Sequence, residues 1–179
     1  MRYFIITLIL IVAQVFVNEG FSQEKNQALN EALYNMRQEV TNSSVIYADK
    51  TSPTIVTSNA FYLYVVMQND QMPKLKLRIQ YFGSLRLDVY EYILKNNDNS
   101  LRLQADLINK SYSDFGNYNS WCDIDVTPSV LEFLRAISGS SMPKLEYVGS
   151  YNNRERRLSK NEVQAMINVI KLYNEMIQN

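Results

Sequence analysis

The chain has 179 residues, a length typical of one domain, and 46% of them are hydrophobic, which is too many for a disordered protein. Lysine plus arginine and aspartate plus glutamate each total 18, so the chain lacks the basic surplus typical of nucleic-acid-binding proteins. With no histidine and one cysteine it cannot form a serine–histidine or cysteine–histidine catalytic pair, and neither a metal site nor another cofactor is expected.

Residues 1–22 have the pattern of an export signal, with cleavage expected after Ser22 and one mature domain over residues 23–179. Arg2 gives a positive start, and the stretch from Phe4 to Val17 is almost wholly apolar. That stretch is about 14 residues long, whereas a membrane-spanning helix needs roughly 20, so we expect no stable membrane span after cleavage. The protein is therefore predicted to be exported, either to the periplasm or out of the cell.

The mature chain is predicted to begin with a helix from Glu24 to Val40, followed by a short strand from Val45 to Ala48. The helix prediction rests on apolar residues at three- and four-residue spacing, namely Leu29, Ala32, Leu33, Met36 and Val40. From Ala60 to Met67 the chain is dense in aromatic and β-branched residues on both faces. This predicts a central strand that is covered on both sides.

The segment from Lys74 to Asn109 is predicted to form three consecutive strands, the last two joined as a hairpin. In the first strand, polar residues alternate with the apolar residues Leu75, Leu77, Ile79 and Tyr81, which separates an apolar face from a basic one. The cations of this region are Lys74, Lys76, Arg78 and Arg102. We expect them to pair with acids on neighbouring strands, such as Asp106 and Glu146, rather than to recruit a ligand.

After a polar, loop-like segment over residues 111–120, the chain is predicted to form a strand, a short helix, a second strand and a final helix. The strand from Trp121 to Val126 places Cys122 on an apolar face, which predicts a buried thiol that acts as a small hydrophobe. Thr127 and Pro128 are typical of a helix start. Ser159 and Glu162 form a capping box before an apolar stripe, while the segment Arg154–Arg157 is expected to be a solvated loop. The stripe comprises Val163, Met166, Ile167, Ile170, Tyr173 and Ile177.

These elements predict one α+β domain. An antiparallel sheet of five to seven strands is expected to be packed by the N-terminal and C-terminal helices, with the short helix at Pro128 as a crossover. A β-sandwich with appended helices is the alternative.

The order of sequence motifs and predicted elements between Leu75 and Tyr173 resembles that of a known family. A strand that ends in Tyr81-Phe82-Gly83 precedes a strand pair, Trp121 leads through Asp125-Val126 into the short helix, and Arg157-Leu158-Ser159 leads into the last helix. In this order the segment resembles a family of small exported bacterial domains, often lipoproteins, whose function is not established. The resemblance implies an α+β fold and no catalytic residue. This chain lacks the membrane-anchoring cysteine that many relatives carry.

Aromatic residues that follow Asn109 are the candidate binding site, namely Tyr112, Phe115, Tyr118 and Trp121. Aromatic side chains on a polar loop supply contact area at a low cost in entropy, as binding surfaces do. The alternative is that two or three of them fold back as a lid over the sheet.

Asp123 and Asp125 are the candidate catalytic carboxylates, since they share a strand face with Trp121. A carboxylate pair beside an aromatic ring suits sugar hydrolysis or calcium binding. Acids on the wet face of a strand that ends near a helix N-terminus are also ordinary structural features, and the sequence favours that interpretation.

The patterns leave open whether the protein is an enzyme and favour a non-enzymatic one. The preferred hypothesis is an exported protein that binds an envelope or extracellular protein or a glycan, without a nucleic-acid partner. The alternatives are a carboxylate-dependent hydrolase that uses Asp123 or Asp125, and a structural subunit of an envelope assembly joined along an exposed sheet edge.

Overall fold

The computed structural model describes residues 25–54, 57–68, 71–97, 99–104, 107–112, 116–140 and 142–178. The expected export signal, Asp106 and Phe115 lie outside these ranges. Within the described ranges, no helix combines the length and the apolar character needed to cross a membrane.

The described residues form three helices and ten strands, most of which come in consecutive antiparallel pairs. Helix α1 covers residues 25–34, α2 covers Pro128–Ser138 and α3 covers Lys160–Gln178. The strands are β1 (Met36–Val40), β2 (Ser44–Asp49), β3 (Ala60–Gln68), β4 (Lys74–Gly83), β5 (Val89–Asn96), β6 (Asn99–Leu103), β7 (Asn109–Tyr112), β8 (Tyr118–Asp125), β9 (Lys144–Gly149) and β10 (Asn153–Arg157).

The strands make two antiparallel sheets. The larger has six strands in the order β1-β2-β3-β4-β8-β7, and the smaller has four in the order β10-β9-β5-β6. Because side chains alternate along a strand, the larger sheet has a buried inner face and a second face that we call the outer face. The outer face carries Arg37, Tyr62, Tyr64, Arg78, Trp121 and Asp123.

One hydrophobic core joins both sheets and the helices. The larger sheet contributes Phe61, Leu63, Leu77 and Ile79, the smaller sheet Leu94 and Leu145, and the helices Leu134, Val169 and Leu172, all fully buried. Four buried tyrosines, Tyr81, Tyr92, Tyr118 and Tyr147, lie in this core. The rings of Tyr81 and Tyr147, which come from different sheets, have centroids 5.4 Å apart. The two sheets therefore pack through their inner faces, and α3 packs against β2 and β3.

Both predicted helix starts are confirmed. The amide of Glu162 donates to Ser159 Oγ at 3.2 Å, and the amide of Ser159 donates to the Glu162 carboxylate at 2.8 Å, which is a capping box. At α2 the amide of Val130 donates to Thr127 Oγ1 at 3.4 Å. The bonds from Glu162 and Val130 satisfy amides that the first turn of a helix leaves without a partner.

The predicted α+β class is confirmed, but three details were wrong. The strands divide into two sheets, of six and four strands, instead of one of five to seven. The helix predicted to reach Val40 ends at residue 34, because Met36–Val40 turns back through the Thr41–Ser44 hydrogen bonds to pair with β2. The segment Arg154–Arg157, expected to be a solvated loop, lies wholly within the edge strand β10, which pairs with β9.

Candidate binding surface

The aromatic residues predicted to bind a ligand do not form one cluster. Tyr118 is only 1% exposed and its ring packs 6.1 Å from that of Tyr81 in the core. Trp121 is three residues further along β8, so it lies on the opposite, outer face, where it is half-buried. The backbone of Tyr112 pairs with Tyr118 in β7 and β8, and Phe115 lies outside the described residues.

Trp121 instead shares the outer face with a row of polar and aromatic side chains. Tyr62, Arg78 and Asp123 are direct partners across β3, β4 and β8. The guanidinium of Arg78 donates to both carboxylate oxygens of Asp123, with Nε–Oδ1 at 2.7 Å and Nη2–Oδ2 at 2.5 Å. A bidentate ion pair of this kind holds both side chains in one orientation.

Two of the three cations of β4, Lys76 and Arg78, pair across strands, but with acids other than those expected. Arg78 pairs with Asp123, and Lys76 pairs with Asp125 at 2.9 Å. In the smaller sheet, Glu146 pairs with Lys95 at 2.7 Å and Arg102 with Glu91 at 2.6 Å. Both candidate catalytic carboxylates are therefore engaged in ion pairs that link neighbouring strands. Among the described residues, no cluster of acids and cysteine could hold a metal ion.

A pocket of about 170 Å³ opens on the outer face beside the Arg78–Asp123 pair. Its walls include Tyr62 and Tyr64, whose ring centroids are 6.2 Å apart. Arg37 lines it as well, held by Glu39 at 2.8 Å and by the backbone oxygen of Ser52 at 2.8 Å. We call this the outer-face pocket.

Burial raises the pKa of the Tyr62 and Tyr64 hydroxyls. For Tyr64 the neighbouring Asp123 carboxylate raises the pKa further, because a second negative charge beside it is unfavourable. Both hydroxyls therefore remain protonated and uncharged across the physiological range. Each can donate and accept a hydrogen bond.

A second pocket, of about 260 Å³, lies at the start of α3, and we call it the helix-end pocket. Its walls include Ser52, Tyr62, Arg156, Asn161 and Glu162. The guanidinium of Arg156 donates to both carboxylate oxygens of Glu162, at 2.9 and 2.7 Å. It also donates to the hydroxyl of Tyr147 at 2.9 Å.

Sequence reasoning missed Tyr62, Tyr64 and Arg156 as candidate site residues. The two tyrosines were included in the second apolar face of a central strand, and Arg156 in a solvated loop. A signal existed for the tyrosines, since their face of β3 lies next to the basic face of β4 and a tyrosine hydroxyl suits such a boundary. No comparable signal existed for Arg156, because its run of mixed charges is typical of a loop and its place in β10 depends on pairing with β9.

Comparisons with known proteins give this chain no relative. No family model matches it, and neither the curated proteins nor the solved structures include a match.

Proposed function

We infer that this is a non-enzymatic protein that binds a neutral glycan on the outer face of its larger sheet. One observation carries the proposal. The arginines that line the two pockets in the described part of the chain are Arg37, Arg78 and Arg156, and each is paired with a carboxylate amid aromatic walls.

The pairing of these arginines favours an uncharged ligand. A cluster of unpaired arginines would attract phosphate or carboxylate groups. Arg37, Arg78 and Arg156 instead each have a carboxylate oxygen 2.5–2.8 Å away. A guanidinium has five N–H donors, so Arg78 and Asp123 can still bond to hydroxyl groups after they have paired with each other. A sugar offers both donors and acceptors to such a pair.

The aromatic side chains supply the apolar part of the site. Trp121 and Tyr62 are both partly exposed on the outer face; Tyr62 lies directly across from Arg78, and Trp121 is two residues from Asp123 along β8. Small-molecule sites combine aromatic walls with a few fixed polar groups, which is the composition found at this surface. The flat face of a pyranose ring fits against such side chains.

The ion pairs also support a structural role for Asp123 and Asp125 over a hydrolytic one. Both carboxylate oxygens of Asp123 accept from Arg78, and Asp125 is paired with Lys76 and is 76% exposed. An expected location outside the cytoplasm, based on residues 1–22, completes the proposal of an exported glycan-binding protein.

Trp121 makes the proposal directly testable, because it is the only tryptophan in the chain. Tryptophan fluorescence of the purified protein is titrated with neutral oligosaccharides of N-acetylglucosamine, glucose and mannose, and with polygalacturonate as an acidic probe. We expect a saturable change with at least one neutral series and none with polygalacturonate. A response to polygalacturonate alone would contradict the proposal.

Matched tyrosine variants locate the binding surface. Tyr62→Ala should weaken glycan binding about tenfold, since an aromatic contact contributes roughly 1 kcal/mol or more. Tyr90→Ala should leave it unchanged, because Tyr90 is 57% exposed on the smaller sheet. Thermal melts establish that both variants are folded. Equal affinities for the two variants would place the ligand elsewhere, and sugar release that disappears in an Asp123→Asn/Asp125→Asn variant would show a hydrolase.

A further inference from the structure

We propose that the ligand is a chain of at least two sugar units that runs from the outer-face pocket into the helix-end pocket, where Ser52 and Asn161 bind its second unit. This inference rests on the proposed function and specifies its ligand. It depends on the adjacency of the two pockets and on one buried hydroxyl.

The two pockets are neighbours that share wall residues. Pro53 and Tyr62 line both of them, so a ligand that leaves the outer-face pocket past Tyr62 enters the helix-end pocket. Their volumes, about 170 and 260 Å³, are each below the roughly 300–1,000 Å³ typical of sites that enclose a drug-sized molecule. A linear ligand that occupies both pockets would contact more of this surface than a compact ligand confined to one pocket.

Ser52 gives the helix-end pocket an unused hydrogen-bonding group. The residue is 5% exposed, and its Oγ has no hydrogen-bond partner in the described structure. The backbone around it is fixed, since its amide donates to the oxygen of Asp49 at 2.9 Å and its oxygen accepts from Arg37 at 2.8 Å. A buried hydroxyl without a partner costs stability, so rotation of the Ser52 side chain toward a polar ligand in this pocket would satisfy it.

The charges of the helix-end pocket favour an uncharged sugar unit. Glu162 already occupies the N-terminal end of α3, where it accepts from the amide of Ser159 and neutralises Arg156. An anion would therefore meet a carboxylate at the position where helix ends usually attract negative charge. Asn161 is exposed in the first turn of α3 and lines the pocket, so its amide can both donate to and accept from a neutral ligand.

The experiment compares chain lengths and three variants by Trp121 fluorescence and calorimetry. The probes are one to six units of whichever series, N-acetylglucosamine, β-1,4-linked glucose or mannose, binds the unaltered protein. The variants are Ser52→Ala, Asn161→Ala and Asn174→Ala. Asn174 is the control, because it lies on the same helix about 20 Å further along.

We expect affinity to rise about tenfold or more from one unit to the longer chains. Ser52→Ala and Asn161→Ala should each weaken binding of the longer chains about fivefold and leave binding of the single unit unchanged. Asn174→Ala should bind like the unaltered protein. Ser52→Ala should also melt at the same temperature or higher, since it removes a buried hydroxyl without a partner, so its weaker binding would not be a folding defect.

Two results would overturn the inference, and only one of them would also overturn the proposed function. If longer chains bind no more tightly than one unit, or if both pocket variants bind every length normally, the helix-end pocket is not used and glycan binding at the outer face stands. If no neutral glycan binds at all, the proposed function and this inference both fail.

Discussion

The Arg78–Asp123 pair is a structural link as well as part of the candidate site. Both side chains are 27% exposed, so each is largely removed from water and depends on the other. We expect a double-mutant cycle of Arg78→Ala and Asp123→Ala to give a coupling free energy of about 1–2 kcal/mol in urea unfolding, more than an exposed pair provides. The control is the Lys76–Asp125 pair on the same two strands, because the Asp125 side chain is 76% exposed. Equal coupling in the two pairs would show that burial adds nothing at Arg78.

The pKa of the Asp49 carboxyl group predicts how the free energy of unfolding changes in acid. It is 2% exposed, and burial alone would raise its pKa, but hydrogen bonds from Thr51 and Asn168 outweigh burial and lower the pKa below its ordinary value of 3.8. Because the folded-state pKa is lower than the unfolded one, the carboxylate stabilises the fold above about pH 4. That contribution is lost as the pH falls through the folded-state pKa.

Asp49→Asn should therefore lower the unfolding free energy at pH 7 by about 1–2 kcal/mol, since Asn168 and Thr51 lose a charged acceptor. It should also flatten the decline in stability between about pH 4 and 2. Urea unfolding at pH 7, 4 and 3 measures both effects. An unchanged acid slope would mean that other carboxylates account for the decline.

At the residue scale, sequence patterns predicted which face a side chain occupies better than which partner it has. Cys122 was predicted to be buried, and it is fully buried, with burial raising the pKa of its thiol to about 11. Arg78 was predicted to pair across strands, but its acid is Asp123, which follows it by 45 residues. Alternation is a local property, whereas the choice of acid depends on which strands become neighbours.

At the scale of elements, α3 is expected to be indispensable because its apolar stripe fills the core. Met166 is fully buried, whereas the next residue, Ile167, is 36% exposed. Met166→Ala should lower the unfolding free energy by about 2–5 kcal/mol, and Ile167→Ala by about 0.5 kcal/mol or less. The pair tests burial at nearly the same place in the helix. Similar losses in denaturant unfolding would contradict this packing.

Removal of the whole helix is the stronger test. It takes away four large buried side chains, Met166, Val169, Ile170 and Leu172, each contributing roughly 1.5–3 kcal/mol, which together match the total stability of a typical domain. A chain that ends at residue 158 should therefore fail to unfold cooperatively on heating. A cooperative melt with an unchanged midpoint would show that α3 is not part of the core.

Element boundaries were predictable where a local signal fixes them. Ser159 and Glu162 fix the start of α3 by hydrogen bonds between residues three apart. No such signal ended α1. The spacing of Met36 and Val40 continued the helical pattern, and only pairing with β2 makes this segment a strand that leaves Val40 73% exposed. Tertiary pairing outweighed local periodicity there.

At the scale of the molecule, the division into two sheets was not predictable from strand patterns. The hairpin of β5 and β6 follows β4 directly in the chain, yet it pairs with β9 while β8 pairs with β4. A sheet in which β4 paired with β5 would satisfy the same alternation of apolar and polar residues as the observed pairing of β4 with β8. A separate error grouped Trp121 and Tyr118 as one site: residues 111–120 were expected to be a loop, but β8 begins at Tyr118, so alternation along the strand places the two side chains on opposite faces of the larger sheet.

Tyr147 links these parts into one cooperative unit. Its hydroxyl donates to the backbone oxygen of Gln80 in the larger sheet at 3.1 Å. It also accepts from Arg156, which in turn holds Glu162 of α3. Burial raises the pKa of this hydroxyl to about 12, so it remains protonated and can donate at physiological pH. One side chain of the smaller sheet is thus bonded to the larger sheet and, through Arg156, to the helix.

Tyr147→Phe should therefore lower the unfolding free energy by about 1–3 kcal/mol, because a buried carbonyl and a half-buried guanidinium both lose a partner. Tyr92→Phe is the matched control. Tyr92 is equally buried in the same sheet, but its hydroxyl lies beside the Cys122 thiol without a nitrogen or oxygen partner in the described structure. Loss of the Tyr92 hydroxyl should cost about 0.5 kcal/mol or less, since a thiol is a weak hydrogen-bonding group.

Urea unfolding followed by both Trp121 fluorescence and far-ultraviolet circular dichroism measures each variant, and the two signals should change together in the unaltered protein. Equal losses for the two variants would mean that ring packing, and not the hydroxyl of Tyr147, joins the sheets.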